Sequence, residues 1–138
     1  MHKLLILSFS VLFSIGLYAQ QNVYSGSDNK LEYKVNVEQY TDKQNDVFYE
    51  YYSLEIKNIS NSEVTFKPVF KYKTDQGESR SSLTRDENHM ITLKSGETIK
   101  GNVNNDEILT LFKQFSIGNS GKKASNVFYT LESISINY

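Results

Sequence analysis

The sequence predicts an all-β protein, an antiparallel β-sandwich of about seven strands with one short helix near residues 106–114. Three observations favour this fold. Apolar and polar residues alternate with a period of two over most of the chain. Turn residues recur every ~8–12 residues, as in sandwich domains. Helical spacing of apolar residues occurs in one short stretch, and the length of 138 residues suits a single domain.

The N-terminal residues 1–19 have the layout of a secretory signal peptide. Met1-His2-Lys3 is a short positive start, Leu4 to Leu17 is an apolar run, and Ala19 is a small residue at the expected cleavage point. The run is shorter than the ~20 apolar residues of a transmembrane helix, so an uncleaved anchor is the less favoured alternative. We therefore expect export to the periplasm or cell exterior, with no membrane span after cleavage.

The expected mature chain begins with a polar stretch that has no period. Residues 20–29 contain Ser25-Gly26-Ser27-Asp28 and predict a flexible leader. The single folded domain is then expected to cover residues 30–138. Its first strand follows at once, because Leu31 to Glu38 gives four clean apolar/polar pairs.

The next strands are read from the same alternation. Val47–Lys57 and Val64–Tyr72 each keep one apolar face, and both are bounded by turn residues. Pro68 donates no ladder hydrogen bond, so the second of these strands is expected to be an edge or to bend there. Short strands are expected at 89–93 and 98–103.

The last strand, Asn126 to Tyr138, changes parity within its length. Tyr129 and Leu131 share one face, whereas Ile134 and Ile136 share the other. The switch near Glu132 predicts a bulge or a crossing between sheets.

One stretch departs from the strand pattern. Its apolar residues stand at i, i+3, i+4 and i+7, which predicts a short helix near 106–114: Ile108, Leu111, Phe112 and Phe115. Asn104 followed by Glu107 is typical of a helix N-terminus. The alternative is a strand through Leu109 and Leu111.

Two short motifs point to a more specific architecture. The alternating strand Tyr52-Ser53-Leu54-Glu55-Ile56-Lys57-Asn58 ends in Asn, and Ile91-Thr92-Leu93-Lys94 precedes a Ser-Gly-Glu turn. This pair resembles small immunoglobulin-like envelope domains. The resemblance implies an immunoglobulin-like sandwich and carries no functional residues with it.

Composition excludes several classes of function. The formal net charge of −1 gives no basic excess of the kind that nucleic-acid binding needs. The absence of Cys excludes disulfides, thiolate zinc sites and a Cys nucleophile. His89 would be the only mature histidine, and the 16 acidic residues are spread singly over strand faces. We therefore expect no enzyme, no catalytic residues and no cofactor.

A metal site is not expected either. Asp42, Gln44 and Asp46 resemble the first odd positions of a calcium loop. Val47 then stands where that loop requires Gly, and Ser53 stands where it requires Glu.

A candidate partner surface follows from one possible hairpin. If Val47–Lys57 pairs with Val64–Thr74 so that Ile56 faces Phe66, Tyr and Lys side chains form a stripe on the solvent side. Its members are Tyr49, Tyr51, Lys67, Lys71 and Lys73. Ordinary surface decoration, with Lys protecting a sheet edge, is the alternative.

The expected function is that of a non-catalytic binding or assembly module in a bacterial envelope. Richness in Asn, Lys, Ile and Tyr suggests an AT-rich bacterial genome, and the partner is expected to be an envelope protein or a glycan. The alternative is a carrier of a small ligand or glycan, held beside Phe112 and Phe115. A carboxylate-dependent hydrolase is less favoured, since it needs two acids facing each other across a cleft at ~5–10 Å.

Overall fold

The computed structural model describes residues 21–82, 89–104 and 107–138. The predicted signal peptide therefore lies outside the described residues. Within these ranges the protein is all-β, as expected, and has nine strands: β1 Gln21–Ser27, β2 Leu31–Asp42, β3 Val47–Asn58, β4 Val64–Thr74, β5 Ser79–Ser81, β6 Ile91–Leu93, β7 Thr98–Lys100, β8 Thr110–Ser116 and β9 Lys123–Asn137. None of the described segments is a helix long and apolar enough to cross a membrane.

The strands form one curled antiparallel sheet. The order along it is β1-β2-β3-β8-β9-β4-β5, with β7 also pairing with β3 and β6 also pairing with β4. The core lies on one face of the sheet, and its largest fully buried side chains include Phe66, Phe70, Leu31, Leu54 and Ile56. These residues have the parity that the alternation assigns to the apolar face.

The strand beside β3 is interrupted by an excursion of the chain. Lys100 at the end of β7 faces Glu55, and Thr110 at the start of β8 faces Ser53. Nine residues therefore separate Lys100 from Thr110 in the sequence, whereas Leu54 alone separates their partners on β3. At the start of the excursion the Gly101 N–H donates to the Leu54 carbonyl at 2.9 Å. At its end Leu109 is fully buried in the core.

The predicted helix is wrong. Glu107–Leu109 form a single 3-10 turn, and Thr110–Ser116 form strand β8, close to the alternative interpretation. The register shift opposite Glu50 and Tyr51 adds one residue to β8, so Phe112 faces Tyr51 while Phe115 faces Tyr49. A bulge between two residues on one face produces the same i, i+3 spacing as a helix.

The flexible leader is also wrong for residues 21–27. They form β1, which pairs with β2 from Gln21 opposite Val37 to Ser27 opposite Glu32. Tyr24 stacks on Tyr33 with ring centroids 6.4 Å apart. A β-carbon on Gly26 would lie 2.6 Å from the Tyr33 ring, so glycine leaves the space that the ring occupies. The polar composition of these residues gave no strand pattern, because β1 is held to β2 by its backbone hydrogen bonds and by the contact between Tyr24 and Tyr33.

One finer expectation, the bulge near Glu132, is confirmed, and the structure shows how Pro68 is accommodated in a strand that is not an edge. Lys71 faces Ser133 whereas Tyr72 faces Leu131, so Glu132 is the extra residue of a bulge. Pro68 lies in the interval of β4 that neither β5 nor β6 pairs with, and its partner on β9 is Ile136. A missing N–H is tolerated at such a position.

The two motifs that suggest an immunoglobulin-like domain contact each other. The Asn58 N–H donates to the Glu97 carbonyl, and the Gly96 N–H donates to the Asn58 carbonyl, each at 2.9 Å. The Asn58 side chain is fully buried and donates to the carbonyls of Ser62 and Leu93. The end of β3 is therefore tied to the turn between β6 and β7.

Candidate functional site

The predicted stripe of Tyr and Lys does not form. Strand β3 pairs with β2, β7 and β8, whereas β4 pairs with β5, β6 and β9. Strands β8 and β9 lie between β3 and β4, so the predicted hairpin register is wrong. The cause is that alternation determines which residues of a strand share a face but leaves the neighbouring strand undetermined.

The five predicted residues have different environments. Tyr51 is only 5% exposed and Lys67 only 7%, so neither offers a free surface. Tyr49 is half-buried on β3. Lys71 and Lys73 are exposed on β4, where the Lys73 Nζ lies 3.5 Å from a Glu132 carboxylate oxygen. Tyr49 and Tyr51 remain together, and the three lysines lie elsewhere.

Strands β2, β3 and β8 bring five aromatic rings together on the outer face of β3, opposite Tyr52 and Leu54. One of the five, Phe112, also meets Tyr129, which packs against the core, edge to face at 5.7 Å. Cross-strand pairs place the five rings on that face: Tyr40 faces Tyr49, Tyr51 faces Phe112 and Tyr49 faces Phe115. We call this set the aromatic patch: Tyr40, Tyr49, Tyr51, Phe112 and Phe115. Tyr52 and Leu54, which have the opposite parity on β3, lie in the core.

Tyr49 is the centre of the aromatic patch. Its ring stacks on Tyr40 at 4.9 Å between centroids and meets Phe115 edge to face at 6.2 Å. Tyr51 and Phe112 lie 6.2 Å and 6.0 Å from it in tilted arrangements. Aromatic pairs at these separations attract beyond their area burial. The rings therefore support one another as a unit.

The patch reaches solvent at the end of β8. Phe115 is 45% exposed, and Ile117, two residues later, is 59% exposed. The neighbouring loop is held in place because the Thr41 hydroxyl donates to the Asn119 side-chain oxygen at 3.0 Å. An apolar surface is thus presented on a supported part of the sheet.

The polar groups beside the aromatic patch bind one another. The Tyr51 hydroxyl donates to a Glu38 carboxylate oxygen at 2.9 Å, and the Lys100 Nζ lies 2.5 Å from the other oxygen of that carboxylate. Burial, followed by the hydrogen bond to Glu38 and its charge, raises the pKa of Tyr51 well above its ordinary value. Burial and the neighbouring Tyr40 likewise raise the pKa of Tyr49. Both phenols are therefore neutral at physiological pH.

The other end of the same outer face is charged. An open groove of about 470 Å³ runs across β1, β2, β3 and β7. Glu32 faces Lys57 and Lys34 faces Glu55 in adjacent rows, and the Lys34 Nζ lies 3.4 Å from a Glu55 oxygen. The outer face thus changes from ion pairs to aromatic rings along the same strands.

The part of the chain that the structure describes contains no group of three or more His, Cys, Asp or Glu side chains that could hold a metal ion. In the calcium-like segment, the Asp42 carboxylate accepts hydrogen bonds from the backbone of Gln44 and from the backbone and side chain of Asn45. The bond from the Asn45 side chain is the main reason that the pKa of Asp42 lies below its usual value. The segment is the turn of the β2–β3 hairpin.

His89 is exposed, and residues 83–88 lie outside the described residues.

Comparison of the chain with protein-family models, with curated proteins and with solved structures finds no match.

Three members of the aromatic patch are not predicted by the sequence pattern: Tyr40, Phe112 and Phe115. The position of Tyr40 could have been predicted from the sequence. A hairpin with a four-residue connection pairs Asp42 with Val47 and therefore Tyr40 with Tyr49. The two phenylalanines were assigned to a helix because the bulge in β8 imitates helical spacing.

Proposed function

We propose that this chain is an exported, non-catalytic binding module of a bacterial envelope, and that it binds a protein partner through the aromatic patch. The observation that carries the proposal is the convergence of five rings on the solvent side of a sheet. An antiparallel sheet normally carries polar side chains on that side. Aromatic residues are also enriched at the centres of protein interfaces.

The signal-peptide layout of residues 1–19 supports export to the periplasm or cell exterior. The finer architecture is proposed to be an immunoglobulin-like sandwich. Its support is the curled antiparallel sheet, together with the contact between Asn58 and the turn that contains Gly96 and Glu97.

A protein partner is favoured over a glycan by the chemistry of the patch. Sugar recognition needs several polar groups that are available for hydroxyls. The Tyr51 hydroxyl already donates to Glu38, which is also paired with Lys100, so the hydroxyls of Tyr40 and Tyr49 are the phenols of the patch that are left for a sugar. Phe112 and Phe115 have no polar atom to offer. Apolar rings beside internally paired charges instead match the apolar centre and polar rim of a protein interface.

The proposal is tested with Phe115→Ala in the full chain, expressed with its own leader and purified after export. Phe115 is 45% exposed but packs on Tyr49 and Phe112, so the variant should stay folded with a modestly lower melting temperature while losing a partner that the wild type captures from envelope extract. Met90→Ala is the matched control, because Met90 is a comparably exposed apolar residue at 42% in a different part of the chain.

The binding assay is then repeated with the identified partner in purified form. Loss of affinity of about ten-fold or more is expected for Phe115→Ala and none for Met90→Ala. Equal capture by both variants would contradict the proposed surface. Binding of purified envelope glycans that depends on Phe115 would transfer the proposal to a glycan partner.

Two different functions, ligand carriage and hydrolysis, have weaker support. A carrier with its ligand beside Phe112 and Phe115 needs these rings to line a cavity, but they pack on each other at 4.9 Å on the outer face. A carboxylate-dependent hydrolase would use the groove, which Glu32 and Glu55 both line. Each of these carboxylates faces a lysine across the strands, as is common on solvated sheet faces.

A further inference from the structure

The two terminal strands of the sheet differ in how well they are protected against pairing with another chain. Strand β5 has three residues and includes Arg80, whose guanidinium donates to Glu78 at 2.7 Å. Strand β1 has seven residues, Gln-Asn-Val-Tyr-Ser-Gly-Ser, with no charge and no Pro. Natural edge strands are usually short, charged or interrupted, because an open edge invites strand addition. The bulge at Val23 interrupts only the beginning of β1.

The hydrogen-bond alternation shows which groups of β1 point away from β2. The Asp28 N–H donates to the Leu31 carbonyl at 2.9 Å, so this pair is hydrogen-bonded. Hydrogen-bonded and non-hydrogen-bonded pairs alternate along an antiparallel ladder, which makes Gly26 and Tyr33 the next bonded pair. The backbone N–H and C=O groups of Ser25 and Ser27 therefore point outward.

We propose that two copies of this chain associate through β1, antiparallel, with the two-fold axis at Gly26. In this register Ser25 faces Ser27 of the partner subunit and Ser27 faces Ser25 of the partner subunit. The outward groups of both serines then form four backbone hydrogen bonds within the regular part of the strand.

Charge favours a second copy at β1 and opposes one at β5. Self-pairing of β1 places no like charges opposite each other, because the strand is uncharged. Self-pairing of β5 about its central residue would place Arg80 opposite Arg80 of the partner subunit. The contact at β1 is small compared with the 1,200–2,000 Å² of a stable interface, so the dimer is expected to be weak and concentration-dependent.

The geometry of the dimer also has a consequence for binding. A two-fold axis perpendicular to the sheet leaves both outer faces on the same side, so two aromatic patches would face one partner surface. This consequence rests on the proposed function, whereas the pairing of β1 does not. Two linked sites on one assembly raise overall affinity through effective concentration.

The test is sedimentation velocity of the full chain, expressed with its own leader and purified after export, from micromolar to millimolar concentration. The wild type should sediment faster as concentration rises. Ser27→Pro removes an outward N–H and leaves the bonds between β1 and β2 intact. Two of the four proposed hydrogen bonds are lost by symmetry, so the dimer dissociation constant should rise at least about ten-fold. Ser27→Ala keeps the N–H and should associate like the wild type.

If Ser27→Pro lowers the melting temperature, Ser25→Pro provides the same test at the other outward residue. A constant sedimentation coefficient at all concentrations would overturn the proposal, as would wild-type association by folded proline variants. Phe115→Ala separates this proposal from the previous one, because it should leave dimerisation unchanged. Loss of self-association in Phe115→Ala with retention in Ser27→Pro would overturn pairing at β1 and assign the dimer to the aromatic patch instead.

Discussion

Replacement of Asn58 by alanine should be among the most destabilising single changes in this chain. The side chain is fully buried at the end of β3 and makes four hydrogen bonds. Its amide donates to the carbonyls of Ser62 at 2.8 Å and Leu93 at 3.0 Å. Its oxygen accepts from the N–H of Ser60 at 2.9 Å and from the Ser60 hydroxyl at 2.7 Å.

The magnitude follows from these contacts. Each internal hydrogen bond contributes about 1 kcal/mol net, so Asn58→Ala should lower the free energy of unfolding by about 4 kcal/mol. The carbonyl of Leu93 contributes to this cost because it would be left without that donor in a buried position. Domains of this size are stable by about 5–15 kcal/mol, so the loss is a large share of the total.

Urea unfolding of the purified protein measures this loss. With a slope of about 2 kcal/mol per molar urea, the midpoint should fall by about 2 M. Asn61→Ala is the matched control, since Asn61 lies in the same turn with an exposed side chain. A loss below about 1 kcal/mol for Asn58→Ala, or an equal loss in Asn61→Ala, would refute the reasoning.

Asn58→Asp sharpens the same test through pH. A carboxylate keeps the acceptor for Ser60 but places negative charge beside the carbonyl oxygens of Ser62 and Leu93. Burial and these oxygens should raise the pKa of the introduced acid in the folded state. The folded state then holds the proton to higher pH than the unfolded state, so stability relative to Asn61→Ala should fall as pH rises from 4 to 7. A flat difference over that range would contradict the assignment of Asn58 as a double donor.

Two further predictions concern the chain around the patch. Gly101→Ala should lower the melting temperature, because its β-carbon would lie 2.3 Å from the backbone oxygen of Leu109 and force a cost of about 1–3 kcal/mol; an unchanged melting temperature would show that the excursion adapts freely. Tyr51→Phe should reduce the loss of stability at alkaline pH. The raised pKa of Tyr51 lets the unfolded chain release a proton near pH 10 that the folded chain retains, so stability falls as pH rises beyond that point. The urea midpoints of the wild type and of Tyr51→Phe are measured at pH 8 and pH 10.5. An equal fall in midpoint between the two pH values for both proteins would contradict the prediction.

The alternation of apolar and polar residues was sufficient to locate the long strands. The predicted Val47–Lys57 differs from β3 by one residue at its end, and Tyr52 and Tyr72, which belong to the apolar faces of β3 and β4, lie in the core. Turn residues are local in the same way: the Asp75-Gln76-Gly77-Glu78 turn that follows β4 places Gly77 at a positive φ of 78°, which glycine adopts readily. These features depend on residues close together in the chain, which is why one sequence can specify them.

Pairing between distant strands could not be derived in the same way. The sequence contains no signal that places β8 and β9 between β3 and β4, because alternation is satisfied by any neighbour that covers the apolar face. The excursion adds a second difficulty, since nine residues separate Lys100 from Thr110 in the sequence whereas only Leu54 separates their partners on β3. The pairing of β7 with β3 therefore does not determine the pairing of β8 with β3. For the same reason the residues of β3 that face the two phenylalanines of β8 cannot be derived from the sequence.

The aromatic patch depends on one strand pairing that can be predicted from the sequence and on one that cannot. Alternation assigned Tyr49 and Tyr51 to the outer face correctly, but the expectation that Tyr51 is a surface residue was wrong. Whether an outward residue is covered depends on its cross-strand neighbours, and here these are Glu38 on one side and Phe112 on the other. The β2–β3 hairpin is a local pairing, so its turn fixes the half of the patch that contains Tyr40. The other half depends on the bulge in β8, and this long-range feature converts two outward tyrosines into a mutually supported cluster with Phe115 at its solvent edge.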